Sequence, residues 1–332
     1  MPAGRDAGPT GKPGEPSGLF LTGNDAAIEA LPAITRKPEF VRPIGAFLDQ
    51  DTQKAHPESV WVVDDTVQGS GPEGPDLPGR LLDLAGKRKD GTVIIVMLPA
   101  GSDALPDRLA AWNKSLGDAR KPWLIHAPLA VARQIPAARQ IVPDERLLLK
   151  DPVRWPAGPD VAHWTQALLY GKPADAAPFA ENARKQGYAL YVVRDLAEAR
   201  EYSRQRYRNA LAKHFGVLST GETALAAAPD ANRGPDPRTA WYVNPDLPLP
   251  AALNFDIPIH AGLDLDLPVV EWREDLVWNG SAWSSTSAGA RDAYRHLLTR
   301  GRDGLVLYVP PTSALDATHQ ALREAGALPL TP

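Results

Sequence analysis

The chain has 332 residues, 43% of them hydrophobic and 23% charged, an ordinary globular composition with length for one large or two medium domains. It contains 0 cysteines, which excludes disulfides, thiolate catalysis and cysteine-ligated zinc. With 36 Lys and Arg against 40 Asp and Glu the formal charge is -4, so binding to nucleic acid through net charge is excluded and only a local basic stripe would serve.

Residues 1–17 are Gly, Pro, Ala and charge without a periodic apolar face, and read as a disordered leader. They hold no apolar stretch for a secretory signal, and no later run is long enough for a transmembrane helix, so the expected location is cytoplasmic. Gly8–Lys12 (GPTGK) does not make a phosphate loop: Asp6 stands where the first glycine belongs, Pro13 follows the lysine, and no strand precedes it.

Order is expected from Gly18. GLFLTGN (18–24) reads as a buried strand, and Asp25 opens a helix. VWVVDD (60–65) is a second strand ending in two acids, followed by the helix DLPGRLLDLAGKR. TVIIVMLPAG (92–101) is nearly all apolar, which predicts a central strand covered on both faces. LPDRLAAWNKSL predicts a helix, and PWLIHAP and ERLLLKDPVRW predict a fourth and a fifth strand.

The second half repeats this logic. DVAHWTQALLYG predicts a helix and GYALYVVRD a strand. Leu196–Phe215 has no Gly or Pro and predicts one long helix. FGVLST and GLDLDLPVVEW carry strands, the second followed by a turn near Asn279; a helix (ARDAYRHLLTR) and a last strand (DGLVLYVPP) complete the series. Strands alternating with helices predict parallel, doubly wound α/β sheets. The expected organisation is the leader 1–17, a lobe at 18–155 and a second lobe at 156–332.

In such sheets ligands bind at the carboxyl ends of strands. Asp64 and Asp65 end an apolar strand at such an edge, the placement of acids that hold magnesium and activate water in nucleotide hydrolases; the plainer alternative is an acidic turn. Thr299–Gly304 places Arg300 and Arg302 beside glycines, suited to gripping phosphate, or forming a solvated turn with Arg302 paired to Asp303. Arg200, Arg204 and Arg208 recur at helical spacing as a basic stripe, with Arg206 and Lys213 nearby; the alternative is a solvated helix face. The histidines show no metal-ligand spacing, and no nucleophile elbow is present.

Together, GLFLTGN, GYALYVVRDLAEAREYSRQRY, FGVLST, GLDLDLPVVEWREDLVWNGSAW and AYRHLLTRGRDGLVLYVPP resemble, in this order, the Schlafen-group-3-like DNA/RNA helicase domain proteins. These are superfamily-one P-loop ATPases with two RecA-like lobes. The resemblance implies that Gly262, Leu263, Asp264 and Asp266 are motif V, at the cleft coupling nucleotide to nucleic acid. It places Arg300 and Arg302 at motif VI, whose arginine contacts the γ-phosphate, Thr22, Gly23 and Asn24 near the nucleic-acid path, and Asp64 and Asp65 at the magnesium and water-activating motif. ATP and Mg2+ are the implied cofactors. DNA or RNA, bound weakly and without sequence preference, is the implied partner, with a protein partner as another option and no membrane.

The chain also departs from that pattern. A strand, phosphate loop and helix are expected before GLFLTGN, and residues 1–17 supply none of them. Asp64-Asp65-Thr66-Val67 stands where the family has Asp-Glu-Ala-Gln, and Pro99–Asp103 replaces a Gly-rich loop with Gln and Glu. The expectation is therefore a catalytically impaired, helicase-like protein, a pseudoenzyme binding nucleic acid or a partner protein. The alternative is an active ATP-dependent helicase or translocase whose phosphate loop lies in missing sequence or a partner chain.

Overall fold

The structure, a computed structural model, describes residues 18–49, 57–64, 76–89, 91–99, 102–149, 158–208, 213–220, 256–258, 265–286 and 289–330. The leader 1–17, Asp65 and Gly262–Asp264 lie outside the described residues. The fold is α/β with parallel sheets, and its internal contacts divide the chain into two units, Met1–Leu148 and Leu149–Pro332.

In the first unit, Leu19–Thr22 (β1), Asp25–Thr35 (α1), Val41–Pro43 (β2), Ile44–Asp49 (α2), Val60–Asp64 (β3), Leu77–Gly86 (α3) and Val93–Met97 (β4) build a four-stranded parallel sheet in the order β2-β1-β3-β4. Leu105–Asp118 (α4) leads to Leu124–Ala127 (β5), Leu129–Ala132 (α5) and Gln140–Pro143 (β6), with β5 and β6 as a separate parallel pair. The period-two pattern of β1 and β3 buries Leu19, Leu21, Trp61 and Val63 completely. Phe47 meets the Trp61 ring edge-on at 5.0 Å. On α4, Leu109, Trp112 and Leu116 share one face and complete this core with α3.

The second unit begins with Asp160–Tyr170 (α6) and Pro173–Lys185 (α7), then Ala189–Val193 (β7), Leu196–Arg206 (α8), Phe215–Ser219 (β8), Asp256–Pro258 (β9) and Leu267–Glu271 (β10). A hairpin of Leu276–Trp278 (β11) and Trp283–Ser285 (β12) follows, then Ala290–Leu298 (α9), Gly304–Tyr308 (β13), Asp316–Glu324 (α10) and Leu328–Pro329 (β14). The six-stranded sheet runs β14-β7-β13-β10-β8-β9, with its paired strands parallel. Alternate residues of β7 face opposite cores. Leu190 and Val192 join α6, α7, α9 and α10, whereas Ala189 and Val193 join α8. Helices thus cover both faces, as doubly wound parallel sheets require.

Three expectations need correction. The apolar strand at 92–101 is not central: β4 ends its sheet, and Val93 and Ile95 are 56% and 48% exposed. Ile94 and Val96 supply its buried side, so its β-branched residues report strand propensity on both faces rather than burial on both. The described residues of ERLLLKDPVRW, 145–149, do not form the expected fifth strand. Glu145–Leu147 form a 3-10 turn capped by Asp144, whose carboxylate accepts the Arg146 N–H at 3.0 Å, and the strand is the preceding β6. The long helix expected to reach Phe215 ends at Arg206, because Tyr207 tucks inward and stacks on Phe215 at 5.5 Å, which pulls the chain off the helix axis. Among the described residues no helix is long and apolar enough to cross a membrane.

Candidate functional site

In the first unit, the parallel pairing of β1 with β3 sets Thr22 opposite Asp64. The fully buried Thr22 hydroxyl donates to Asp64 Oδ2 at 3.1 Å and accepts the Asn24 N–H at 3.1 Å. Asn24 in turn caps α1 by accepting the Ala27 N–H. Three residues singled out in the sequence, Thr22, Asn24 and Asp64, therefore converge at the carboxyl edge of this sheet. Among the described residues no group of three or more His, Cys, Asp or Glu is arranged for a metal. Asp64 offers one half-buried carboxylate, while the Thr22 hydroxyl is already engaged. One carboxylate is a set that magnesium accepts when phosphate oxygens and water fill its other positions.

In the second unit the polar residues gather at the opposite, amino edge. Lys213, Asp266 and Asp303 each stand just before one of the adjacent strands β8, β10 and β13. Lys213 Nζ lies 2.9 Å from Asp266 Oδ1 and 2.6 Å from Asp303 Oδ2. Asp266 Oδ2 also accepts the His214 backbone N–H at 2.8 Å, and Asp303 Oδ2 accepts the Tyr207 hydroxyl at 3.0 Å. Burial works against the Lys213 charge, but the hydrogen bonds it donates to Asp303 and Asp266 outweigh it and hold the ammonium above the ordinary lysine range. Burial first, then the Asp303 charge, holds the Tyr207 phenol well above its ordinary value.

The same edge fixes the arginine turn. Leu265 bridges to Gly301; its N–H donates to the Arg300 carbonyl at 3.2 Å, and its own carbonyl accepts the Arg302 N–H at 2.9 Å. Asp303 N–H closes the set on the Asp266 carbonyl at 2.8 Å. A Cβ on Gly301 would lie 1.9 Å from the Gly304 carbonyl oxygen, and one on Gly304 would lie 2.5 Å from Ala189 Cβ. Both glycines are therefore required by close backbone approach. Arg300 is half-buried and Arg302 exposed.

The sequence GLDLDLPVVEWREDLVWNGSAW, the arginine turn and the strands around them lie within one matched span. A model of the family described as Schlafen group 3, DNA/RNA helicase domain, matches residues 111–311 of the chain. The chain belongs to the Schlafen group 3 DNA/RNA helicase domain family. Thr22, Asn24 and Asp64 precede the matched span. No curated protein matches the chain.

The aromatic residues of the segment Trp272–Tyr294 are a core device. Trp272 stacks on Tyr294 at 4.2 Å and lies 5.2 Å from Trp283, which meets Trp278 at 5.3 Å. Trp272 Nε1 donates to the Leu276 carbonyl, Trp283 Nε1 to the Leu168 carbonyl, and the Tyr294 hydroxyl to Asp275. Asn279 Oδ1 accepts from Ser281 and Ala282 in the hairpin turn, where Gly280 takes φ 96. These aromatic rings pack against one another, and the polar atoms of Trp272, Trp283 and Tyr294 are bonded within the segment or to α6.

The basic stripe is reorganised. Arg200 is half-buried, with its Nε shielded and without a hydrogen-bond partner. Arg204 pairs with Glu201 at 3.6 Å, and Arg208 lies beyond the end of α8. The Asp303 carboxylate, the alternative partner for Arg302, is held by Lys213 and Tyr207. Sequence reasoning missed this network. Its signal was a charged residue one or two positions before each of three apolar strands.

Proposed function

We propose that this chain is a helicase-like protein of two RecA-like lobes that binds single-stranded DNA or RNA weakly and without sequence preference, with little or no ATP turnover of its own. The observation that carries the reading is the turn Arg300-Gly301-Arg302, whose backbone is pinned by hydrogen bonds to Leu265 so that two arginines flank one fixed glycine. Arginine on a preformed turn loses little entropy when it grips a phosphate, and its fork matches phosphate geometry. The poor turnover rests on Asp64-Asp65-Thr66-Val67 and Pro99–Asp103, where water-activating and coupling groups of the family are replaced. Asp64 is retained and is the residue that would hold magnesium; ATP and Mg2+ are the cofactors such a site takes.

The test measures phosphate release by the purified chain with ATP and Mg2+, with and without oligonucleotide, beside equilibrium binding to the same oligonucleotide. Binding without release above background is the expected result. Turnover of about 1 s⁻¹, the lower end of ordinary enzymes, that disappears in Asp64→Ala overturns the impaired reading and establishes an active helicase or translocase.

A further inference from the structure

The end of α8 and the arginine turn form one continuous edge. Arg206 Nη2 reaches the Asp303 carbonyl at 3.5 Å, and its Nη1 donates to the Tyr202 hydroxyl at 3.0 Å. Both acceptors are neutral, so neither cancels the Arg206 charge. The next residue, Tyr207, binds Asp303 through its hydroxyl, and the one after it, Arg208, is exposed. Lys213 joins the same carboxylate from the start of β8. Beside Asp303 thus stand Arg206 and Lys213, with Arg208 exposed past the end of α8 and the Arg300–Arg302 turn directly before Asp303. Exposed arginines gathered on one edge of a chain whose net charge is -4 draw a polyanion to that place without drawing it to the whole surface.

We propose that the α8 end is a second phosphate-binding element, in which Arg206 and Arg208 continue the grip of the Arg300–Arg302 turn along a single nucleic-acid strand. This rests on the nucleic-acid reading above and replaces Arg200 and Arg204 by Arg206 and Arg208 as the contacting pair. The half-buried Tyr202, whose hydroxyl holds Arg206, positions that guanidinium.

The test is fluorescence anisotropy of labelled oligo-dT and oligo-U with the full chain across a salt series, with melting temperature read on the same samples. The variants are R206A/R208A, R302A and, as a control, K172A/K185A, whose residues precede and end α7 on the other face of the sheet. A single-strand phosphate contact contributes about 0.7 to the slope of log affinity against log salt. R206A/R208A is expected to flatten the slope by about 1.4 for two such contacts, with melting nearly unchanged, and the control to leave the slope as it was. A loss in R302A with none in R206A/R208A overturns this inference and leaves the nucleic-acid reading standing. An equal loss in the control overturns it as a general charge effect. Competition by polyglutamate as effective as by oligo-dT assigns the edge to an acidic polypeptide instead. No binding of the unaltered chain to either polymer removes the nucleic-acid reading itself.

Discussion

Lys213 and Asp303 meet at 2.6 Å although the strands they precede, β8 and β13, are not neighbours: β10 runs between them. The lysine spans this gap by touching Asp266, at the head of β10, on the way. One flexible cation thus ties together the starts of three parallel strands and, through Asp303, the arginine turn that precedes β13.

Replacing Lys213 by Met leaves two carboxylates facing each other without their cation. The expected loss is about 1–2 kcal/mol, less than the figure of about 3–5 for a wholly buried pair because the lysine is partly exposed. The pKa shift gives this loss a pH signature. The folded-state pKa of Lys213 is raised, so its contribution is full below the unfolded value of about 10.4 and fades as pH rises through the folded value. The melting-temperature gap between wild type and Lys213→Met should stay level from about pH 7 to 9, then narrow above the ordinary lysine pKa. Thermal melts across that series check it; a gap that widens with alkali contradicts the clamp.

Gly301→Ala and Gly304→Ala each place a methyl against backbone or against Ala189. Overpacking costs about 1–3 kcal/mol even where side chains can shift, and backbone atoms shift less readily. Chemical denaturation should show both variants destabilised by at least this much, with Gly301→Ala also weakening oligonucleotide binding by displacing its two flanking arginines. Two variants as stable as wild type would show that the turn tolerates more space than its geometry allows.

The aromatic cluster predicts a different pattern. Trp272 is fully buried between Tyr294 and Trp283, so Trp272→Ala should cost about 3–5 kcal/mol. The fraction that remains folded should bind oligonucleotide as wild type does. Lowered affinity in that folded fraction would show that the signature segment takes part in binding.

Much of the architecture was legible because alternation and apolar runs report local periodicity. The strands at Leu19, Val60, Ala189, Phe215, Leu267 and Gly304 announce themselves in this way. Position in the sheet did not follow, since Val93 and Ile95 carry the same β-branched chemistry whether they face a core or solvent. The end of α8 was hidden because no Gly or Pro marks it; a long-range bond from Tyr207 to Asp303 does. The candidate site was half visible. Thr22, Asn24 and Asp64 stand near strand ends in sequence and meet in space. The Lys213 network joins residues separated by 53 and 90 positions, a distance at which spacing carries no signal.

The central claim, that the arginine turn binds nucleic acid rather than merely bracing the second unit, is tested most directly by Arg300→Ala. Affinity for single-stranded oligonucleotide and melting temperature are measured on the same preparation over a salt series. The account predicts weaker binding and a slope flatter by about 0.7, with the melting temperature within a few degrees of wild type. Unchanged affinity together with a clearly lowered melting temperature would mean that Arg300 is scaffold, and would contradict the account.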